Sequence, residues 1–454
     1  MELANSNRAE IDCSIKCIIR VALPLILSAL SSNLLLITDR AILAYYAIDA
    51  MNAATLSGNL VVALTCMLMS VAGVAQIYVG QNNGAGNYEM LAVPTWQMIR
   101  FSALISIALI PIAYYSEYIN FLPSYYSEEG IKYQKVLLYF GGLPSLQIAL
   151  ASFFIGQGKG KIVTIAVVCG GIFNTFFDYL FVFGVKDLIP EMGCKGAAIA
   201  TVLAQIFQIS ILSAVFFNKS NRLRYKTLAN RKFDKKVFLG CLKIGFPLAS
   251  GRFLEILAWL VIATLFSYVS KDLATINGVA GSLHALFAFI ADGLNKSSST
   301  ISANFIGRKD IESIKKVFKM FIKIITIFCG IMIIPFVIRQ DIIFSILSLL
   351  RDDVSMLYEE MSLVFRLTSF NIAICSISSI IWGILISGGD TKIPVIISFV
   401  GLFGFIFIPT CILFYCGKLT SAAALSFFCN CSNTWSFIML YRRYKSLKWY
   451  KQML

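Results

Sequence analysis

Three polar side chains stand where the surrounding residues are almost all apolar, and their types fit proton or cation chemistry. Asp39 lies fifteen residues after Pro24 in the first apolar stretch. Asn174 and Asp178 lie four apart in a later one, which puts them on one face of a helix. A charge at bilayer depth costs several kcal/mol, so such residues are functional candidates by default. Two neighbouring carboxylates repel when both are ionised, so one takes a proton or a cation relieves both. Two carboxylates and an amide can therefore carry H+, or cage a cation such as Na+. The plainer reading is a satisfied polar contact between two helices.

A second set lies in the other half of the chain. Glu255 stands eight residues after Pro247, and Arg252 three before Glu255, close enough for an ion pair within one helix. His284 and Asp292, two turns apart, share a helix face with Lys296, and Asp292 and Lys296 are spaced to neutralise each other. The only histidine could titrate in the physiological range. A polar helix facing a wet cleft explains the same residues. Pro24 and Pro247 each free a backbone carbonyl and can bend their helices.

These residues need membrane helices to position them. The chain has 454 residues, 58% hydrophobic and only 14% charged, with mean hydropathy +0.78. Twelve apolar runs long enough to cross a bilayer are expected at about 17–46, 55–79, 97–115, 136–156, 162–183, 195–217, 238–269, 276–304, 317–338, 363–387, 392–416 and 421–441. Backbone groups in lipid must be satisfied within the segment, so the runs are helices. Continuous rather than alternating apolarity argues against a β-barrel. The polar start reads as no cleavable signal peptide, with the first helix serving as insertion signal. The apolar stretch 342–350 is too short to cross and reads as interfacial.

The net charge of +15 is placed by topology rather than by nucleic acid. Basic residues crowd 218–236, the turn after 307 and the end of the chain, while Glu117, Glu128, Glu129, Asp352 and Asp353 fall in alternate loops. This positive-inside pattern puts both termini in the cytoplasm. The twelve cysteines are mostly scattered singly through the spans, without metal-site spacing; no structural zinc is expected. The loop 156–161 lacks the spacing of a phosphate-binding loop. With no ATPase module, energy comes from an ion gradient and no cofactor is expected.

The chain repeats itself. Pro24 and Pro247, Gly80 and Gly307, and Lys161 and Lys392 stand in similar surroundings at offsets of 223, 227 and 231. A duplicated membrane unit around a shared midplane cavity is a transporter plan. Six spans on each side of the basic segment give lobes 1–217 and 237–454 joined by a cytoplasmic linker, 218–236.

In order along the chain, Leu23-Pro24 through Asp39, Phe173-Asn174-Thr175-Phe176-Phe177-Asp178-Tyr179, Lys195-Gly196-Ala197-Ala198-Ile199-Ala200-Thr201, Ile244-Gly245-Phe246-Pro247 through Glu255, and Ser387-Gly388-Gly389-Asp390-Thr391-Lys392 resemble the MATE (multidrug and toxic compound extrusion) family over nearly the full length. The resemblance implies two six-helix bundles related by a pseudo-two-fold axis along the membrane normal, a central cleft and rocking alternating access. It implies export of organic, often cationic, compounds against inward H+ or Na+, and carries the coupling role onto Asp39, Asn174 and Asp178. It matches Glu255 to an acid that one subfamily uses for cation coupling. The companion acidic position on the tenth span is Cys375 here, which weakens a carboxylate pair there.

The expectation is thus an all-α, twelve-span antiporter, monomeric, in the inner (plasma) membrane. Its partners are a small organic substrate and membrane lipid. A lipid or lipid-linked-sugar flippase is the alternative within transporters. An intramembrane transferase enzyme is the alternative from another class, disfavoured by the single histidine and short loops. A homologue that has lost transport is a third.

Overall fold

A computed structural model describes residues 11–118, 127–338 and 358–450; the expectation for 342–350 lies outside them. The first half runs α1 (Ile15–Tyr46), α2 (Ile48–Ala72), α3 (Ala75–Gly84), α4 (Ala92–Tyr114), α5 (Ser127–Tyr139), α6 (Leu143–Gly156), α7 (Gly160–Phe183) and α8 (Gly193–Phe216). A short α9 (Lys219–Tyr225) follows. The second half runs α10 (Lys235–Val269), α11 (Lys271–Gly307), α12 (Ile311–Ile338), α13 (Tyr358–Ser387), α14 (Lys392–Val400), a π-helical segment Gly401–Phe407, α15 (Ile408–Tyr415) and α16 (Ala422–Lys445).

Eight of the helices among the described residues are long and apolar enough to cross a membrane, or nine when the pair α5 and α6, bent by 43°, is one span. This is fewer than the twelve expected. Polar side chains keep α11 and α16 out: Asp292, Asn295, Lys296 and the run Ser297-Ser298-Ser299-Thr300 in one, Asn430, Ser432, Asn433 and Ser436 in the other. Apart from the exposed Asp292 and Lys296, these side chains are buried or half-buried.

Small residues set the close crossings. A Cβ on Gly142 would fall 1.8 Å from Ser106 Oγ of α4, and one on Gly170 2.2 Å from Gln208 Cγ of α8, whereas Gly171 and Gly404 face open space. Pro24 and Pro247 lie inside α1 and α10 as expected. Thr164 of α7 donates to the Pro24 carbonyl at 2.6 Å, which ties α1 along α7.

The two halves meet through α1, α2 and α3 against α10 and α11. They close on each other at the end that carries the turns 84–88, 156–160, 307–311 and 387–391. There Gln76 donates to the Lys296 carbonyl (3.0 Å) and to Thr300 Oγ1 (2.9 Å), and Gln81 to the Ser387 carbonyl (2.8 Å). Asn83 donates to Asn304 Oδ1 (2.7 Å), and Asn304 to the Gly156 carbonyl (2.9 Å). Arg308 donates to the Ile11 carbonyl (2.8 Å). The backbones of α3 and α11 touch here: a Cβ on Gly84 would lie 1.9 Å from the Asn304 carbonyl oxygen, and one on Gly307 2.0 Å from that of Gln81.

The basic linker is not a free tether. Trp96 of α4 donates to the Thr227 carbonyl (2.6 Å) and Gln97 to that of Lys232 (3.2 Å). Arg100 donates to the Arg231 carbonyl, and Asn230 to the Glu89 carbonyl (2.6 Å). The whole segment is strapped to the first half. Its only helix among the described residues is the seven-residue α9.

Candidate functional site: a buried acid pair and a mixed-charge crevice

The packing of α1 along α7 brings Asp39 to Asn174 and Asp178. All three are buried, at 6%, 1% and 0% exposure. The Asp39 and Asp178 carboxyls lie within hydrogen-bonding reach of each other. The Asn174 amide, oriented by its surroundings, donates to Asp178 Oδ2 at 3.1 Å and accepts from the Thr201 backbone N–H at 3.2 Å. Oδ1 of Asp39 and Oδ1 of Asp178 have no protein partner. Orphaned carboxylate oxygens are costly when buried, so a proton, a water or a cation beside them would lower that cost. Among the described residues no group of three or more His, Cys, Asp or Glu stands together as for a metal ion.

A cavity of about 140 Å³ reaches Asn174, lined also by Ser32, Leu35, Gln147, Val167, Thr201, Ala204, Gln205 and Gln208. Most of its wall is apolar, but the glutamine, serine and threonine side chains offer polar partners for a few waters. Gln147 and Gln208 hydrogen-bond across it.

Two neighbours escaped the sequence reading. Arg40, adjacent to Asp39 in α1, lies within electrostatic reach of that carboxyl and donates to Thr55 Oγ1 of α2 at 2.7 Å. Tyr133 of α5 is buried within reach of Asp39, Arg40 and Asp178. Arg40 was findable, because an arginine at membrane depth is itself a signal. Tyr133 carries no such mark.

The second-half candidates gather separately. Arg252 Nη1 pairs with Glu255 Oε2 at 2.9 Å, and both side chains stay nearly half accessible. Asp292 of α11 lies within electrostatic reach of Arg252, and both Asp292 and Glu255 within reach of His284. Cys66 of α2 and Cys375 of α13 stand against the same charges. The cluster thus sits where α2 of the first half faces α10, α11 and α13 of the second. Partly accessible charges thus gather between four helices.

One expected pairing fails. Asp292 and Lys296 share a face, yet both are exposed and no ion pair forms between them among the described residues. An exposed pair gains little against water and gives up side-chain entropy. The Cys375 thiol lies within electrostatic reach of both Glu255 and Asp292, so it stands among this cluster's carboxylates.

Known proteins match this arrangement. The MatE family model matches twice, over residues 24–180 and 247–413, so both matches begin at the repeated prolines. The chain is 25% identical over 305 residues to a probable multidrug resistance protein NorM of Thermotoga maritima, spanning 66% of this chain and 65% of that one. It is 22% identical over 388 residues to a probable multidrug resistance protein YoeA of Bacillus subtilis, spanning 84% and 83%. Against the multidrug resistance protein NorM of Vibrio cholerae the match spans about half of each chain. Among solved structures, a eukaryotic MATE transporter superposes with TM-score 0.80 at 18% identity over 96% of both chains. A MOP superfamily transporter from Pyrococcus furiosus superposes with TM-score 0.80 at 15% identity, over 95% of this chain and 96% of that one; at such identities the likeness is one of fold. With the family model covering most of both halves, the chain belongs to the MatE family and is a multi-pass membrane protein with the fold of the MATE transporters.

Proposed function

We propose that the protein is a secondary active antiporter that exports organic, often cationic, compounds in exchange for H+ or Na+. The observation that carries this reading is the buried pair Asp39 and Asp178, each with one carboxylate oxygen left without a partner. Such a pair exists in two forms, one holding a proton or cation and one without, which is what coupling requires. The repeat supports a plan of twelve spans in two six-helix lobes, 1–217 and 237–454, joined by 218–236. The basic segments support cytoplasmic termini, in the inner (plasma) membrane. With that orientation the halves are closed toward the cytoplasm, and the crevice opens outward.

In the proposed cycle, the outward-open protein takes the ion at Asp39, Asn174 and Asp178. Neutralisation changes how α1 packs near Pro24 and releases substrate outward. The halves then rock, the ion leaves inward, and new substrate enters the crevice. Arg252, Glu255, His284, Asp292 and Lys296 line the substrate's path, and no tightly bound cofactor takes part. A monomer suffices, because substrate crevice and ion site lie within one chain.

The test is efflux of a fluorescent organic cation from reconstituted vesicles with a proton or sodium gradient imposed in turn. One gradient should drive efflux in the native protein and neither in Asp39→Asn. Gradient-driven efflux by Asp39→Asn at the native rate refutes the assignment. A flippase of polar lipids is the second reading, favoured by the accessible cations Arg252 and Lys296 beside the acids; fluorescent lipid moving between leaflets, without dye efflux, would select it.

A further inference from the structure

A cavity of about 490 Å³ opens at the foot of the linker, lined by Lys232, Lys235 and Lys236 together with Met90, Val93 and Phe233. None of the three lysines has an ion-pair partner among the described residues. The one carboxylate in the lining, Asp234, is already engaged: its Oδ1 accepts the Val237 N–H at 3.0 Å and caps α10. Lys226, also in the linker, pairs with Glu89. Three ammonium groups, none in an ion pair among the described residues, therefore face one cavity that holds a single carboxylate.

The walls are fixed rather than floppy. Gln97, fully buried, donates to the Lys232 carbonyl (3.2 Å) and accepts from the Asp234 N–H (3.3 Å). Arg100 holds the Arg231 carbonyl and stands 5.9 Å from the Phe233 ring centre. Phe233 is 57% exposed and Met90 43%, so the cavity has an apolar lip. It sits at the first turns of α4 and α10, both membrane-spanning, and Leu239 of α10 lies exposed one turn beyond Lys235.

We propose that this cavity binds the headgroup of an anionic phospholipid of the surrounding leaflet. The lysines take the phosphate, and Met90, Phe233 and Leu239 meet the glycerol and upper acyl chains. Basic pockets between membrane helices recognise acidic headgroups by this combination of charge and position. A soluble phosphate would use the lysines but leave the apolar lip idle. Because the site joins α4 of the first half to α10 of the second, bound lipid clamps the linker where the halves connect. The inference does not rest on the transport direction or on the coupling ion.

The experiment uses the whole protein in lipid nanodiscs and counts phosphatidylglycerol retained against phosphatidylcholine by native mass spectrometry. The variant Lys232→Gln/Lys235→Gln/Lys236→Gln is compared with Lys315→Gln/Lys316→Gln/Lys319→Gln, which removes equal charge from exposed positions on α12. The first should lower the preference for phosphatidylglycerol by about fivefold per lysine, on the order of a hundredfold in all. The second removes lysines from an exposed helix face, where solvent screens them, and should leave the preference within about twofold of native. An undiminished preference in the first variant overturns the proposal, and so does an equal loss in the second. In a parallel arm, inorganic phosphate at millimolar concentration should not raise the native unfolding temperature in phosphatidylcholine. If it stabilises as well as phosphatidylglycerol does, and only when the three lysines are present, a free anion takes the site and the lipid assignment falls.

Discussion

Substituting Gly84 by alanine drives a wedge into the contact that closes the two halves. The added Cβ would lie 1.9 Å from the Asn304 carbonyl oxygen and under 3 Å from the carbonyl carbon and Cα of the same residue. Real Cβ atoms essentially never come nearer than 3.0 Å, so α3 and α11 must part by about 1 Å. The obstacle is backbone inside a helix and cannot swing aside as a side chain would. Overpacking of this kind costs roughly 1–3 kcal/mol. The penalty falls only on the arrangement in which α3 and α11 touch. Gly84→Ala should therefore lower the ratio of closed to open protein at this end by about 5- to 150-fold. Spin labels on an unnatural amino acid at Asn87 and Lys315, one in each half, report the separation without labelling the twelve native cysteines. The longer-distance population should grow in Gly84→Ala. It should not grow in Gly171→Ala, whose added methyl meets nothing within 4 Å. A distance distribution and efflux rate unchanged by Gly84→Ala, in protein that unfolds at the native temperature, would refute the claim that this crossing seals the halves.

Two further tests concern single side chains. Asp310 caps α12 by accepting from the Ser313 N–H (3.0 Å) and hydroxyl (2.5 Å), bonds that hold its carboxyl below the usual aspartate range. A carboxyl depressed in the folded state contributes stability that is complete above its unfolded pKa and fades as pH falls through the folded one. Asp310→Ala should cost about 1 kcal/mol near neutrality. The gap to native in thermal unfolding should close below about pH 4, and a gap that persists in stronger acid would count against the cap. Because Arg252 and Glu255 are both nearly half accessible, Arg252→Gln should change stability by no more than about 1 kcal/mol. Freed of its partner, Glu255 should lower the KM for a cationic dye several-fold, and an unchanged KM would remove the pair from the substrate's path.

The acid site was legible because bilayer depth makes a carboxylate conspicuous and a four-residue spacing fixes a shared face: Asn174 and Asp178 could only point one way. The duplication was legible through Pro24 and Pro247, residue types that punctuate a helix, and the family matches start at those same positions. Spacing failed where solvent competes. Asp292 and Lys296 share a face as expected, but accessible water outbids the ion pair. The expected spans 276–304 and 421–441 are helical, as α11 and α16, but their polar residues leave them outside the helices apolar enough to cross a membrane among the described residues. The strapping of the linker onto α4 was invisible for a different reason. Trp96, Gln97 and Arg100 bond to backbone carbonyls, which every residue has, so no pattern of side chains announces the contact.

Among the described residues, hydrogen bonds from Gln76, Gln81, Asn83, Asn304 and Arg308 close the two halves at the 84–88 and 307–311 turns, and they run between groups that neither gain nor lose a proton near neutrality. Gln76, Gln81, Asn83 and Asn304 are amides, their partners are carbonyls or a hydroxyl, and Arg308 stays charged throughout. Acidity on either side of the bilayer therefore has no direct grip on these bonds. Any influence must arrive through the polypeptide, and α1 is the obvious rod. It begins beside Ile11, which Arg308 holds, and carries Asp39 farther along its 32 residues, about 48 Å of helix. Key and bolt are thereby placed on one shaft with Pro24 between them, so stiffening or bending that shaft should alter how faithfully the one reports to the other.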